Sequence, residues 1–155
     1  MTPSSLIDTA DTLLNAHTRR PRQSDLKRAV STIYYAMFHA LCRNSADCLV
    51  GTAGADRSGS AWRQIYRAVE HGLARSQCEN KNVVQRFPGE IQAFAKNFVE
   101  IQEKRHEADY DPDSEYRLAD VQMWLDSAKL YIKRLEGASI KDRRAFAVWV
   151  TVKNR

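Results

Sequence analysis

The sequence has no hydrophobic run long enough to span a membrane. Its longest purely apolar stretch covers residues 145–150, whereas a transmembrane helix needs roughly 20 such residues. The chain also has no Lys or Arg before Arg19 and no hydrophobic segment near its start that would form a secretory signal. A protein without membrane association is therefore expected.

Cysteine is scarce as well. The sequence has three cysteines, an odd number, and their spacing does not match that of a disulfide framework. This usage is typical of a reduced, cytoplasmic protein. His39, Cys42 and Cys48 would leave a zinc ion without a fourth ligand, so no metal site is expected. Neither a glycine-rich phosphate loop nor a nucleophile elbow occurs, and no cofactor is predicted.

Positive charge is unevenly distributed along the chain. The net charge is +5, and the residues from Lys133 onward contain seven basic and two acidic side chains, which account for all of it. The basic C-terminal segment, residues 138–155, has two interpretations. Its charge suits an acidic partner such as nucleic acid, and the same charge could equally serve to solvate a terminal helix.

The sequence does contain apolar residues that recur with a helical period. In the longest such segment, about residues 24–48, the apolar face includes Ile33, Met37 and Leu41. Residues 140–152 alternate like a strand but also fit a helix, and the helix is favoured because no second strand is available for pairing. The other helical segments cover about residues 4–17, 61–76, 88–109 and 112–135.

These segments predict an all-α fold, an antiparallel up-and-down four-helix bundle with additional short helices. A chain of 155 residues is long enough for one domain with its own core. We expect a single domain over residues 1–155, with its core within about residues 5–135 and the basic segment after it.

The longest predicted helix also carries a polar stripe that includes Tyr35 and His39. Polar groups on a central helix need partners, because a buried unpaired group costs about 1–3 kcal/mol. The only other concentrated polar stretch, residues 104–110, places Arg105 and Asp109 four residues apart on one helix face. We expect these four side chains to form either a buried polar network that sets the helix register or a binding site for a nucleotide or RNA.

Two short motifs carry a resemblance to a known family. Residues 34–39 read Tyr-Tyr-Ala-Met-Phe-His, and residues 105–110 read Arg-His-Glu-Ala-Asp-Tyr. The pair resembles the HEPN superfamily of small helical bundles, over about residues 5–135. The resemblance implies a homodimer on a four-helix core. It also implies either a ribonuclease of toxin–antitoxin and defence systems or a non-catalytic partner of a small nucleotidyltransferase.

In ribonuclease members of that superfamily the active motif is an arginine followed, after a short spacer, by a histidine. The resemblance therefore makes Arg105, His106 and Tyr110 the catalytic candidates, aided by His39, with arginine stabilising the phosphate and histidine moving protons. Here His106 follows Arg105 directly and Tyr110 stands at the expected spacing, and a phenol is a weak base at neutral pH. In some HEPN toxins a tyrosine near this motif is modified with AMP by the partner nucleotidyltransferase.

The sequence as a whole predicts a HEPN-like, nucleotide- or RNA-associated binding module in a toxin–antitoxin or defence setting. A metal-independent ribonuclease and a structural partner of a nucleotidyltransferase are the two alternatives. The departure from the ribonuclease motif favours a protein that is not an enzyme.

Overall fold

The computed structural model describes residues 1–16 and 20–154, and within these ranges the chain is helical and contains no strand. The all-α prediction is confirmed. None of the helices in this part of the chain combines the length and apolar character that crossing a bilayer requires. The helices are α1 (Pro3–Leu14), α2 (Gln23–Leu49), α3 (Gly59–Ala68), α4 (His71–Glu79), α5 (Lys81–Val84), α6 (Gly89–Tyr110), α7 (Leu118–Gly137) and α8 (Ile140–Thr151).

α2 is the central helix and contacts α1, α3, α6, α7 and α8. Its fully buried side chains include Ile33, Tyr34, Met37 and Leu41. They share one broad face because an α-helix completes a turn every 3.6 residues. Burial of one such side chain stabilises the fold by about 1.5–3 kcal/mol. These five helices therefore pack around α2, in agreement with the length of its apolar pattern.

α6 runs antiparallel to α2. Near the start of α2, Lys27 Nζ lies 3.3 Å from the main-chain oxygen of Asp111, which follows the last residue of α6. Further along α2, the Tyr34 hydroxyl accepts a 3.2 Å hydrogen bond from Gln102. As the residue numbers rise along α2, those of the contacting residues on α6 fall. The C-terminal half of α6 therefore lies beside the first half of α2.

The prediction of a single helix over residues 61–76 is wrong, because the chain forms two helices there, α3 and α4. Val69 and Glu70 between them have extended backbones, with ψ angles of 118° and 138°. The Val69 side chain is buried in the core, which stabilises the bend. The bend brings His71, the first residue of α4, against α2.

α7 begins at Leu118 and not near residue 112, so the predicted start of this helix is wrong. The preceding residues form turns, in which Asp111 Oδ1 accepts a hydrogen bond from the Asp113 N–H and Ser114 Oγ donates one to the Asp111 main-chain oxygen. Asp and Ser side chains often compete with the helix for backbone groups in this way. Tyr116, just before α7, is buried.

Ile140–Thr151 is helical, as favoured from the sequence for residues 140–152, and α8 begins after Ser139, whose hydroxyl caps it. Phe146 of this helix is buried in the core, so the core extends beyond residue 135. Arg143 Nε donates a 2.9 Å hydrogen bond to Asn44 Oδ1 on α2. Much of the basic C-terminal segment is therefore a docked helix.

Replacing Phe146 with alanine tests whether the fold depends on α8. Phe146 is 1% exposed, and its ring centroid lies 5.4 Å from that of Phe87 and 6.3 Å from that of Phe94. We expect Phe146→Ala to lower the free energy of unfolding by about 3–5 kcal/mol in a urea melt, because it leaves a cavity. Val148→Ala, at a 42% exposed position of the same helix, is the control and should cost less than about 1 kcal/mol. Equal losses for the two variants would show that α8 is not part of the stable core.

Candidate functional site

Arg105 of α6 lies over the rings of two adjacent tyrosines of α2. Its guanidinium carbon is 5.5 Å from the ring centroids of both Tyr34 and Tyr35, which is the distance of a cation–π contact. Its Nη2 also donates a 3.1 Å hydrogen bond to the Tyr35 hydroxyl. The antiparallel packing of α2 and α6 thus places one arginine against two aromatic rings.

Asp109, one turn further along α6, orients the guanidinium of Arg105. Arg105 Nε lies 3.0 Å from Asp109 Oδ2, and Ser31 Oγ donates a 3.4 Å hydrogen bond to the same oxygen. The N–H at Nε is not aimed at that oxygen, so the contact is an ion pair without a hydrogen bond. The Arg105 and Asp109 side chains are 21% and 31% exposed, and a partly exposed ion pair contributes about 1 kcal/mol at most. Asp109 therefore positions Arg105 more than it stabilises the fold.

His71 joins this site from α4. Its Nδ1 is hydrogen-bonded to the Tyr34 hydroxyl, and that hydroxyl accepts a 3.2 Å hydrogen bond from Gln102 Nε2. The Tyr34 hydroxyl is fully buried, so its one hydrogen needs an acceptor, and His71 Nδ1 lies beside it. With Tyr34 as the donor, the ring hydrogen of a neutral His71 lies on Nε2. Nε2 makes no hydrogen bond to the residues that the structure describes. It is free to donate to a ligand.

The Tyr34–His71 pair is electrically neutral near pH 7. Burial raises the pKa of Tyr34 well above its ordinary value. Burial also lowers the pKa of His71, and the positive charge of Arg105 and the nearby His39 lower it further. The positive charge of the site therefore belongs to Arg105. We call the following residues the arginine cluster: Tyr34, Tyr35, His71, Gln102, Arg105 and Asp109.

Three of the four residues expected to share a polar network lie together in the structure, namely Tyr35, Arg105 and Asp109. His39 does not join them, and its Nδ1 is hydrogen-bonded to the hydroxyl of Tyr66. The reason is its position one turn beyond Tyr35 on α2, where the neighbouring aromatic residue comes from α3. The three that meet are partly exposed, so this site is open to solvent and not fully buried.

Of the three catalytic candidates that the resemblance supplies, only Arg105 belongs to the arginine cluster. His106 and Tyr110 lie next to each other on α6, with ring centroids 4.8 Å apart. Tyr110 is 66% exposed. Among the described residues, neither side chain forms a hydrogen bond with Arg105.

Sequence reasoning missed three members of the arginine cluster as site residues, namely Tyr34, His71 and Gln102. In the single helix predicted over residues 61–76, the helical period places His71 on the solvated side. His71 is exposed in the structure, but the bend at residues 69–70 that turns it toward Tyr34 was not foreseen. A signal was nevertheless present in Tyr34. A tyrosine on the apolar face of a central helix is buried and needs a hydrogen-bond partner for its hydroxyl, and such a partner has to come from another segment.

No group of three or more His, Cys, Asp or Glu side chains within residues 1–16 and 20–154 is placed to hold a metal ion. Comparisons of the chain with protein-family models, with curated proteins and with solved structures found no match. The chemistry of the arginine cluster is consequently the basis for a functional proposal.

The pKa of His71 should respond to the charge of Arg105. Arg105→Gln removes a positive charge that disfavours the imidazolium, so we expect the pKa of His71 to rise toward its ordinary value without reaching it, because burial remains. An NMR titration of the histidine side chains measures the change, and His71→Gln identifies the resonance. Arg134→Gln is the control, since Arg134 also lies over a tyrosine ring, 5.9 Å from that of Tyr131. No rise in Arg105→Gln, or an equal rise in the control, would contradict this coupling.

Proposed function

We propose that this protein is a HEPN-like binding module that holds a phosphate group of RNA or of a nucleotide at the arginine cluster. One observation carries the proposal. Two hydrogen-bond donors, the guanidinium of Arg105 and Nε2 of His71, flank the same pair of tyrosine rings. Arg105 Nη1, like His71 Nε2, makes no hydrogen bond to another described residue. Both groups are therefore available to an anion.

The surroundings of these donors favour a nucleic acid over a simple inorganic anion. A guanidinium binds phosphate with more than one N–H and is the side chain most often used for that purpose. Aromatic surface adjoins it, because the His71 ring stacks on Phe38 with centroids 3.8 Å apart, and bases stack on such surfaces. The net charge of +5 also attracts a polyanion to the protein.

The HEPN-like four-helix arrangement belongs to the same proposal. Its support is the position of the two motifs, because residues 34–39 on α2 and residues 105–110 on α6 meet across an antiparallel helix pair. The resemblance adds a homodimer, a nucleotidyltransferase partner and a cytoplasmic toxin–antitoxin or defence role. Light scattering of a homodimer would give about twice the 17.7 kDa of one chain. The mass of a single chain would refute it.

Replacement of Arg105 tests phosphate binding directly. We expect Arg105→Gln to weaken the binding of single-stranded RNA at least about tenfold, because it removes a charge-assisted hydrogen bond. The slope of log affinity against log salt concentration should fall by about 1, since one phosphate contact is lost. Fluorescence anisotropy with a labelled RNA measures both quantities. Arg134→Gln is the matched control and should bind as the wild type does, and wild-type binding by Arg105→Gln would refute the proposal.

Metal-independent RNA cleavage is a second candidate, and the position of His71 beside Arg105 favours it. In this reaction the ribose 2′-oxygen loses its proton to a base and attacks phosphorus, and the bond from phosphorus to the 5′-oxygen breaks as that oxygen gains a proton. The products are a 2′,3′-cyclic phosphate and a free 5′-hydroxyl. Proton donation to the 5′-oxygen would need the imidazolium form of His71, since the N–H of a neutral imidazole is a very weak acid, and Arg105 would stabilise the charged phosphate. Within the arginine cluster no second imidazole serves as the base.

We expect no cleavage, because His71 is neutral near pH 7 and therefore a poor proton donor, and the carboxylate of Asp109 is ion-paired with Arg105. Purified protein incubated with single-stranded RNA and a metal chelator should leave the RNA intact on a denaturing gel. Cleavage that is lost in both His71→Gln and Arg105→Gln would establish the second candidate. Cleavage that is lost in His106→Ala but kept in His71→Gln would point instead to the residues that the resemblance supplies.

A further inference from the structure

A cleft of about 570 Å³ lies beside the second half of α2, and it shares no residue with the arginine cluster. Its walls come from α2, α3, the loop between them and the first residues of the chain. A volume of this size is typical of sites that bind small molecules. We call it the aromatic cleft, and its functional side chains are His39, Arg43, Asp47, Arg57, Trp62 and Tyr66.

One wall of the aromatic cleft is a pair of aromatic rings on α3. The ring centroids of Trp62 and Tyr66 are 5.1 Å apart, with planes tilted by 32°. Trp62 Nε1 donates a 2.8 Å hydrogen bond to Asp47 Oδ1, and the Tyr66 hydroxyl is hydrogen-bonded to His39. Both rings are therefore held in place from α2. They offer a preformed flat surface to a planar ligand.

Positive charge surrounds this aromatic wall. The Arg57 guanidinium carbon lies 4.9 Å from the centroid of Trp62, and no carboxylate in the described part of the chain lies within ion-pair distance of Arg57. Arg43 is 55% exposed, and its Nε is 3.7 Å from Asp47 Oδ2, a long ion-pair distance. Asp47 is the one acidic side chain that lines the cleft, and it already accepts a hydrogen bond from Trp62. The cleft therefore has an excess of positive charge.

The imidazole of His39 and the phenol of Tyr66 are neutral near pH 7. Burial lowers the pKa of His39, and burial raises the pKa of Tyr66 to about 12. The loop that carries Arg57 contains Gly51 and Gly54, with φ angles of 130° and 155°. Only glycine adopts such angles without strain, and they let the chain turn back so that Arg57 reaches the indole. The sequence of this loop is thus suited to closing the cleft with a cation.

We propose that the aromatic cleft binds a nucleotide, with its base against the Trp62–Tyr66 ring pair and its phosphate on Arg43 and Arg57. The two guanidinium groups favour an anion, which a neutral aromatic ligand would not supply. The Trp62–Tyr66 ring pair and the His39–Tyr66 hydrogen-bonding pair favour a flat, polar, aromatic group, which a simple organic acid would lack. A nucleoside monophosphate combines both, and the same chemistry is present at the end of an RNA strand.

Fluorescence of Trp62 provides the test. The chain has three tryptophans, so a Trp124→Phe/Trp149→Phe variant leaves Trp62 as the only one, and calorimetry on the unaltered chain repeats the measurement. We expect AMP to quench Trp62 saturably, and adenosine and ribose 5-phosphate each to bind at least about tenfold more weakly, because each lacks one of the two recognised groups. Absence of saturable quenching at millimolar AMP, together with absence of heat in calorimetry, would overturn the proposal.

Matched arginine variants then locate the site. Arg57→Gln and Arg43→Gln should each weaken AMP binding at least about tenfold, whereas Arg134→Gln should leave it unchanged. AMP binding that is unaffected by both cleft variants would overturn the proposal even if quenching occurs. Competition identifies the source of the ligand. A 5′-phosphorylated RNA that displaces AMP indicates a strand end, and AMP binding that RNA does not affect indicates a free nucleotide.

This inference is independent of the function proposed for the arginine cluster. Arg105→Gln should leave AMP binding at the aromatic cleft within about twofold of the wild type, because no residue is shared between the two sites. Loss of AMP binding in Arg105→Gln but not in Arg57→Gln would place the nucleotide at the arginine cluster and overturn the proposal for the cleft. Loss in the cleft variants alone supports the proposal, whatever the RNA-binding result.

Discussion

The hydroxyl of Tyr34 needs a partner inside the protein, and much of the arrangement around α2 follows from this need. The residue is fully buried on the central helix, and an unpaired buried hydroxyl would cost about 1–3 kcal/mol. Gln102 from α6 and His71 from α4 both hydrogen-bond to it. One buried oxygen thereby joins three helices at a single point. It also sets the tautomer of His71, and with it the donor that this histidine can offer to a ligand.

The side chains next to Tyr34 form the part of the arginine cluster that faces solvent. Tyr35 is the next residue along α2 and faces a wetter side, where its hydroxyl receives a hydrogen bond from Arg105. Asp109 orients the guanidinium of Arg105, and both side chains remain partly exposed. The N–H groups at Nη1 of Arg105 are therefore open to an anion. Stability and ligand binding thus rest on adjacent residues: Tyr34 contributes to the core, and Tyr35 contributes to the surface that surrounds Arg105.

The polar stripe of α2 serves two sites along its length. Its earlier part, at Tyr35, meets α6 and forms the arginine cluster. Its later part, at His39, meets Tyr66 of α3 and borders the aromatic cleft. Each site combines arginine with aromatic rings and a neutral histidine. This repeated combination suits two ligands that share the same chemistry, or two parts of one nucleic acid strand.

Helical period by itself determined the all-α fold and the central place of α2, because burial of an apolar face needs only a correct repeat. For residues 140–152 the period was ambiguous, and the helix followed from the lack of a second strand for pairing. The pairing of Tyr35 with Arg105 and Asp109 also followed from the sequence, since both segments carry polar side chains at helical spacing. The start of α7, the bend at Val69 and the inclusion of Phe146 in the core did not follow, because each depends on local turns or on contacts distant in the chain. His71 shows the physical reason most clearly. Its spacing predicts a position on a solvated helix face, and only tertiary packing, which buries Val69 and the Tyr34 hydroxyl, brought it into contact with Tyr34 beneath Arg105.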